Sequence, residues 1–496
     1  MKPVRQFKSV NNLKPGRSLF DLSYEKKFTC DMGQLIPIMC DEVVPGDIFE
    51  IGNAAVIRFQ PMVAPILHEI NMYTHYFYVP YRLLWDDWEE FISGGVDGED
   101  ATAIPTWSPT SHGLNSLWDY LGFPDTVATG AEPIDFPRRA YNMVYNEYYR
   151  DETLQTEVAL TSESILNRNW EKDYFTSALT NQQRGTSPAL PIQGNTSAVW
   201  GSGHFVSGST GTQMLASTTA LDPVIRANSG NAVTNLFNLF NDNSVDLSVA
   251  TSFDIADLRL AIQIQRWMER NQRAGVRYTE FLKSHFGVAP SDDRLQRPEY
   301  IGGTKSPVII SEVLQTSQTD TTPQGSMAGH GLGIQSGFAG KYHAKEYGLI
   351  IGIMSIMPKP SYQQGINRQR LRRTRYDFYF PEFANLSEQA IIRAELYTTA
   401  VSADNNTIFG YQGRYDEMRV KQNQVCSGMR DSYDYWHLGR KFSSSPLLNS
   451  SFIVCSPDKR IFAVTTEPGL IVSFANNIRA LRPLPIMAEP GRIDHD

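Results

Sequence analysis

The stretch YTHYFYVP, residues 73–80, decides the fold class. Thr74, Tyr76 and Tyr78 alternate with Tyr73, His75, Phe77 and Val79 until Pro80 stops the run. Successive strand side chains point to opposite faces, and aromatic and β-branched residues suit a pleated, half-buried surface. A period of two in such residues therefore reads as a β-strand. Working outward, Ala54 to Phe59, Tyr347 to Met357, Tyr376 to Phe380, Ser451 to Cys455, Arg460 to Thr465 and Gly469 to Phe474 have the same character. Strand signals thus occupy both ends of the chain.

Helical spacing lies mainly between those ends. Leu84, Trp88, Phe91 and Ile92 recur at helical intervals before Gly94-Gly95, and Leu114, Leu117, Trp118 and Leu121 before Gly122 and Pro124. Tyr141, Val144, Tyr145 and Tyr148 follow a Pro137 suited to a first helical turn. The longest helix is expected from Asp254, a candidate N-cap, to Ala274, with Gly275 as its stop. It carries one stripe of Ile255, Leu258, Ala261 and Ile262, and a second of Leu260, Ile264 and Trp267, which implies burial on more than one side.

Two segments read as insertions. Residues 186–250 are poor in charge and rich in Gly, Ser, Thr and Asn, yet carry the apolar patch Val233, Leu236, Phe237, Leu239 and Phe240. Residues 316–340 read as a second, Gly-rich loop. Loops so long are uncommon unless functional or disordered. Strands at both ends with helices and loops between them fit a mainly β fold, a two-sheet antiparallel jelly roll with helical and loop insertions, an architecture that recurs in capsids and lectins. The expected division is a basic N-terminal arm (1–20) and a jelly-roll domain (21–496) containing both insertions.

The chain has 496 residues, 41% of them hydrophobic and 20% charged, an ordinary globular composition. Cys30, Cys40, Cys426 and Cys455 form no C-x-x-C pair and read as reduced, mostly buried thiols. The longest uncharged apolar run, Tyr347 to Met357, falls short of the ~20 residues of a membrane helix, so no membrane insertion is expected. Net charge is −8, unevenly placed. Lys2, Arg5, Lys8, Lys14 and Arg17 crowd the first 20 residues without an acid, whereas residues 84–100 carry seven acids and no base. Such asymmetry suits surfaces that face different partners, or two solvated segments without a role.

Catalytic signatures do not form. His68-Glu69 begins an H-E-x-x-H pattern, but position 72 is Met. Gly329, Gly331 and Gly333 imitate a nucleotide loop without closing a G-x-G-x-x-G register. Asp86, Asp87, Glu89 and Glu90 lie opposite the Trp88 and Phe91 stripe, as a solvated face would, and His343 and His437 read as structural histidines. No catalytic, cofactor or metal residue is assigned. The basic clusters carry more information. Arg368, Arg370, Arg372, Arg373 and Arg375 run into Tyr376, Phe378, Tyr379 and Phe380. Guanidinium beside aromatic rings suits single-stranded nucleic acid, where phosphates meet charge and bases stack. An ion-pair cluster between subunits, facing acids such as those near Asp86, is the competing reading. Trp85, Trp88, Tyr141, Tyr145 and Tyr148 are candidate anchors for packing or for an interface.

Ten blocks then resemble one family. GRSLFDLSYEKKFTCDMGQLIPIMCDEVVPGDIF (16–49) and RFQPMVAPILHEINMYTHYFYVPYRLLWDDWEEF (58–91) open the match. DLRLAIQIQRW (257–267), RAGVRYTEFLKSHFGV (273–288), RLQRPEYIGG (294–303) and Tyr362-Gln363-Gln364-Gly365 continue it. RYDFYFPEFANLSEQAI (375–391), FGYQGRYDEMRVKQNQVCSGMR (409–430), DYWHL (434–438) and PGRIDH (490–495) complete it. In this order they resemble the major capsid proteins of gokushoviruses, a branch of the Microviridae. The two insertions match no fixed family sequence, and Arg492 stands where the family pattern suggests an apolar residue.

The resemblance implies an antiparallel eight-stranded jelly roll of the viral capsid type, the subunit of a bacteriophage, self-assembling into a T=1 icosahedral shell around a circular single-stranded DNA genome. It implies minor DNA pilot and scaffolding proteins as further partners, assembly in the bacterial cytoplasm, and a host surface receptor met by the 186–250 insertion near the threefold axes. A carbohydrate-binding or carbohydrate-cleaving jelly roll and a trimeric spike adhesin are the rival readings.

Overall fold

The computed structural model describes residues 16–95, 101–126, 130–186, 198–199, 244–245, 255–274, 284, 296–314 and 327–487. Two units are distinguished. One comprises residues 1–182 and 276–496, the other 183–275.

The larger unit is built from two antiparallel sheets. Its strands are β1 (Ser18–Asp21), β2 (Tyr24–Cys30), β3 (Ile36–Val43), β4 (Ile48–Phe59) and β5 (Ile70–Pro80). In the smaller unit, the two-residue strands β6 (Ala198–Val199) and β7 (Ser244–Val245) pair with each other. The larger unit resumes with β8 (Glu299–Pro307), β9 (Ile309–Leu314), β10 (Met327–His343), β11 (Gly348–Pro358), β12 (Glu388–Ile392), β13 (Ile408–Gly413) and β14 (Leu470–Arg482). The six-stranded sheet runs β1-β14-β4-β10-β9, with β2 also pairing β14, and the four-stranded sheet runs β3-β11-β5-β8. From β2 to β5 the chain therefore alternates between sheets, and its last long strand lies beside β4 near its beginning.

The alternation of residues 73–80 works as the period of two demands. Ile70, Met72, Tyr76 and Tyr78 enter the core between the two sheets. Phe77 and Val79 face the other way, into a second core with Trp88, Trp107, Trp118 and Phe136. Helices clad that outer side, so β5 and β11 are buried on both faces. In β4 buried residues alternate with partly exposed ones, as in a sheet packed on one face.

Several expectations change. The helix read from Leu84 to Ile92 is two pieces, Tyr81–Leu84 and Trp88–Ser93, because the backbone is extended at Trp85. Gly94 ends the second piece in the left-handed conformation, at φ 81°. Leu117–Tyr120 forms one turn while Leu114 stays outside it. Pro137 does begin a helix, Phe136–Val144, which passes into a single π-turn at Tyr145–Tyr149.

The Gly-rich loop is corrected most. Residues 327–340 belong to the long strand β10. Gly329 and Gly331 are glycines because β10 lies too close to its neighbours at those two positions for a side chain, whereas a Cβ at Gly333 would come only to 3.3 Å from a Val308 methyl. A Cβ at Gly329 would stand 2.4 Å from the Ala64 carbonyl oxygen, and one at Gly331 would stand 2.6 Å from the Phe59 ring.

Three strand expectations fail for local reasons. Ser450–Ile453 is a helical turn, capped by the Asn449 carboxamide accepting from the Phe452 amide at 3.0 Å. Residues 460–465 form a turn at 460–461 and a single bridge from Phe462 to Met62 in place of a strand, with the Arg460 guanidinium donating to the carbonyls of Asp434, His437 and Gly439. The third, residues 376–380, belongs to the site below.

Among described residues, the smaller unit contains β6, β7 and the helix Ile255–Ala274. Asp254 and Gly275, its expected cap and stop, lie outside them. Of the second stripe, Leu260 and Trp267 are exposed on this helix and Ile264 is half-buried, so within this chain the helix is not covered on that side. Cys30 and Cys455 are buried, Cys40 is half-buried and Cys426 is exposed.

Candidate nucleic-acid interface

The Arg-aromatic run splits into inward and outward parts. Arg368–Arg370 is a 3-10 turn in which the Asn367 side chain accepts from the Gln369 amide. A second turn, Arg375–Asp377, replaces the strand expected from Tyr376 to Phe380. It forms because the Asp377 carboxylate turns back to accept the amides of Arg373 at 2.9 Å and Thr374 at 2.7 Å. Those amides hold the Asp377 carboxyl below its usual range.

Two of the five guanidiniums are engaged inside the chain. Arg368 donates to Glu395 at 2.8 Å and to the Ala390 carbonyl at 2.9 Å. Arg372 donates to Glu417 at 3.0 Å, and Gln389 satisfies that carboxylate's other oxygen at 2.7 Å. Both carboxylates are buried. Burial pushes the Glu395 carboxyl up, and Arg368 opposes the rise. Each pair ties the 366–378 segment to the small sheet of β12 and β13 or its flanks. The expectation that all five arginines face a partner is corrected: Arg368 and Arg372 are internal struts.

Arg370, Arg373 and Arg375 stay exposed. Beside them Tyr376, Phe378, Tyr379 and Phe380 are 43–56% exposed. Large rings are so open here because the turns support their backbone from below. Arg414 donates to the Tyr376 carbonyl at 2.9 Å, and the Tyr415 hydroxyl donates to the Phe378 carbonyl at 2.9 Å. Tyr415 does so from a left-handed backbone, φ 63°, an uncommon conformation for a residue with a bulky side chain. The Arg375 guanidinium lies 5.3 Å from the Tyr376 ring centre, and that of Arg372 lies 5.4 Å from the Phe378 ring centre. The product is a patch of open ring faces with three exposed cations. Charge neutralises phosphate, and the rings accept stacked bases of any sequence. Glu395, Glu417, Arg414 and Tyr415, which build the patch, were not singled out from sequence; their spacing carries no signal.

The other sequence candidates are distributed as follows. Lys2, Arg5, Lys8 and Lys14 lie outside the described residues, as do Val233, Leu236, Phe237, Leu239 and Phe240; Arg17 is exposed. Trp88, Tyr141 and Tyr145 are buried within this chain's own core, which removes them as anchors for another copy. Tyr141 is fixed there by donating to the Leu35 carbonyl at 2.9 Å and accepting the Leu166 amide at 3.0 Å. Trp85 is half-buried and Tyr148 is at the surface. Asp86, Asp87, Glu89 and Glu90 are exposed. His437 is buried and bonded on both ring nitrogens, to the Met429 carbonyl and the Gly439 amide, whereas His343 is on the surface.

Residues 9–492 match the family described as "Capsid protein (F protein)". The chain belongs to this phage capsid protein family. Similarity to individual members extends over nearly the full chain. It is 34% identical to capsid protein VP1 of Chlamydia phage 1, over 98% of this chain and 97% of that protein. The values are 33%, 98% and 97% for capsid protein VP1 of Bdellovibrio phage phiMH2K, and 30%, 96% and 95% for that of Spiroplasma virus 4. The gokushovirus-type resemblance drawn from the ten sequence blocks is thereby established. Capsid proteins of this family are structural and self-assembling, and the virion capsid is where they reside.

Proposed function

We propose that this chain is the major capsid protein of a single-stranded DNA bacteriophage, folded as a jelly roll and closing into a T=1 icosahedral shell. The observation that carries the reading is the alignment of 98% of this chain with 97% of a phage VP1, on two antiparallel sheets whose strands interleave. Taking β2, β3, β4, β5, β8, β10, β11 and β14 as the eight jelly-roll strands gives sheet orders β2-β14-β4-β10 and β3-β11-β5-β8. That is the interleaving of two Greek keys, with β1 and β9 as edge additions.

In this reading the exposed patch of Arg370, Arg373, Arg375 and residues 376–380 contacts a circular single-stranded genome, together with the N-terminal arm. The 186–250 insertion meets a host receptor. Pilot and scaffolding proteins join the subunit in the host cytoplasm. Electron microscopy and native mass of the expressed chain, with and without a co-expressed scaffolding protein, test the core of the reading. Closed T=1 particles support it; a lone subunit under every condition refutes it.

A further inference from the structure

The six-stranded sheet borders a groove of about 630 Å³ in which apolar side chains are flanked by Lys26, Lys27, Arg58, Asp119 and Glu467. Val56 and Ile471 form its floor, and Phe28, Tyr120 and the exposed loop residue Leu114 form its wall. The strand register extends the floor: Val56 pairs with Ile334, which is 64% exposed, on one side and with Ser473 on the other. An antiparallel sheet facing water presents polar side chains outward, as Lys27, Thr29, Arg58 and Ser473 do here, and Val56, Ile471 and Ile334 are the apolar exceptions among them. A contiguous exposed apolar surface marks an interaction site.

The same chain carries an exposed apolar segment that could cover those positions. Beyond β14, Leu484, Ile486 and Met487 are 53%, 76% and 78% exposed, with two prolines in the short run that follows Arg482. Its own groove is out of reach. Ile471 lies at the opposite end of β14 from Arg482, eleven residues away, or roughly 35 Å at the rise of a strand. Ile486 is four residues past Arg482, and four extended residues span about 14 Å at most. The segment falls about 20 Å short even if it doubles straight back.

We propose that Leu484–Met487 of one copy occupies the Val56–Ile471–Leu114 groove of a second copy. The contact is heterologous, an arm on one copy and a groove on the next, which is the type that closes into rings when the rotation permits. A pocket of this volume lies within the ~300–1,000 Å³ range that encloses small ligands, and a four-residue apolar arm is of comparable size. The inference rests on the reading of the chain as a shell subunit.

The test uses full-length chains with Cys426→Ser, which removes the exposed native thiol. One tagged chain also carries Ile486→Cys and a differently tagged chain Val56→Cys. The two are co-expressed, particles are isolated by sedimentation, and mild oxidation is followed by non-reducing electrophoresis. The expected result is a disulfide-linked dimer containing both tags, absent when either cysteine is omitted. Particles without that dimer overturn the proposal while leaving the shell reading intact. A chain carrying both cysteines that closes an intramolecular bond instead also overturns it. Failure of the Cys426→Ser parent to form particles, where the unaltered chain forms them, traces the loss to that substitution, and an eight-atom bismaleimide linker on the Cys426-containing pair then decides by the same two-tag criterion. Failure of the unaltered chain to form particles both with and without a co-expressed scaffolding protein refutes the shell reading, and the arm contact with it.

Discussion

Neutralising the three exposed arginines should weaken binding to single-stranded DNA through the salt-dependent part of the affinity alone. The structure sets the size of the effect. Of five guanidiniums between 368 and 375, Arg368 and Arg372 already hold buried carboxylates, so three remain to displace counterions. Each phosphate neutralised on a single strand contributes about 0.7 to the slope of log affinity against log salt, so R370A/R373A/R375A should flatten that slope by about 2. Stability should change by no more than about 0.5 kcal/mol, because these are surface positions. Arg372→Ala should do the reverse. It leaves Glu417 buried without its cation, a loss of about 3–5 kcal/mol where a buried pair is broken, reduced to the extent that Gln389 still holds the carboxylate. Fluorescence anisotropy with a labelled oligothymidine across 50–300 mM salt measures the slope, and thermal melts measure stability. An unchanged slope in the triple variant, with binding still salt-dependent, would refute the assignment of this patch.

Three further outcomes follow from the packing. Gly331→Ala should cost about 1–3 kcal/mol by driving a methyl into the Phe59 ring. Gly329→Ala should cost more, since the obstacle is the Ala64 backbone carbonyl and cannot rotate away; equal melting temperatures for the two would contradict this. Ile57→Ala should lose about 2–5 kcal/mol by opening the core between the sheets, measured by denaturant titration. His75 is held down to about 4 by burial, with Arg168 adding to the effect, while its Nδ1 meets the Tyr149 hydroxyl at 2.8 Å. Its unfolded form binds a proton near pH 6.5, so its contribution is full above that value and is lost as pH falls toward 4. His75→Phe should therefore lose less stability between pH 7 and pH 5 than the parent, with His68 titrating alike in both; a parallel loss would count against it.

The legible part of the fold was the part governed by period. Residues 73–80 announced both of their faces, 54–59 fell within a long strand, and 347–357 and 469–474 did so from their second residue on, because β-branched and aromatic residues dominate them. Legibility failed where a single tertiary contact outweighs composition. Gly329 and Gly331 look like a loop, but crowding at the β10 face demands the same residue. Residues 376–380 look like a strand, but two amides captured by Asp377 turn them. The nucleic-acid candidate was half legible for the same reason: charge and rings are visible in the sequence, whereas the assignment of Arg368 and Arg372 to Glu395 and Glu417 depends on residues up to 45 positions away.

The two sheets bury their surfaces by different means, and the difference bears on assembly. Helices and aromatic side chains of the same chain clad the four-stranded sheet, so its two middle strands are buried on both faces before any partner arrives. The six-stranded sheet has one core face, and its outer face shows Val56, Ile334 and Phe338 to solvent, the last 67% exposed. A monomer gains nothing from that arrangement, because exposed apolar strands invite uncontrolled association. A subunit that ends buried among copies of itself gains a great deal, since its fold is complete on one side and its unburied area is reserved for the other. On the proposed arm contact, the exposed face, not the aromatic core around Trp88 and Tyr141, is where substitutions should separate assembly from folding.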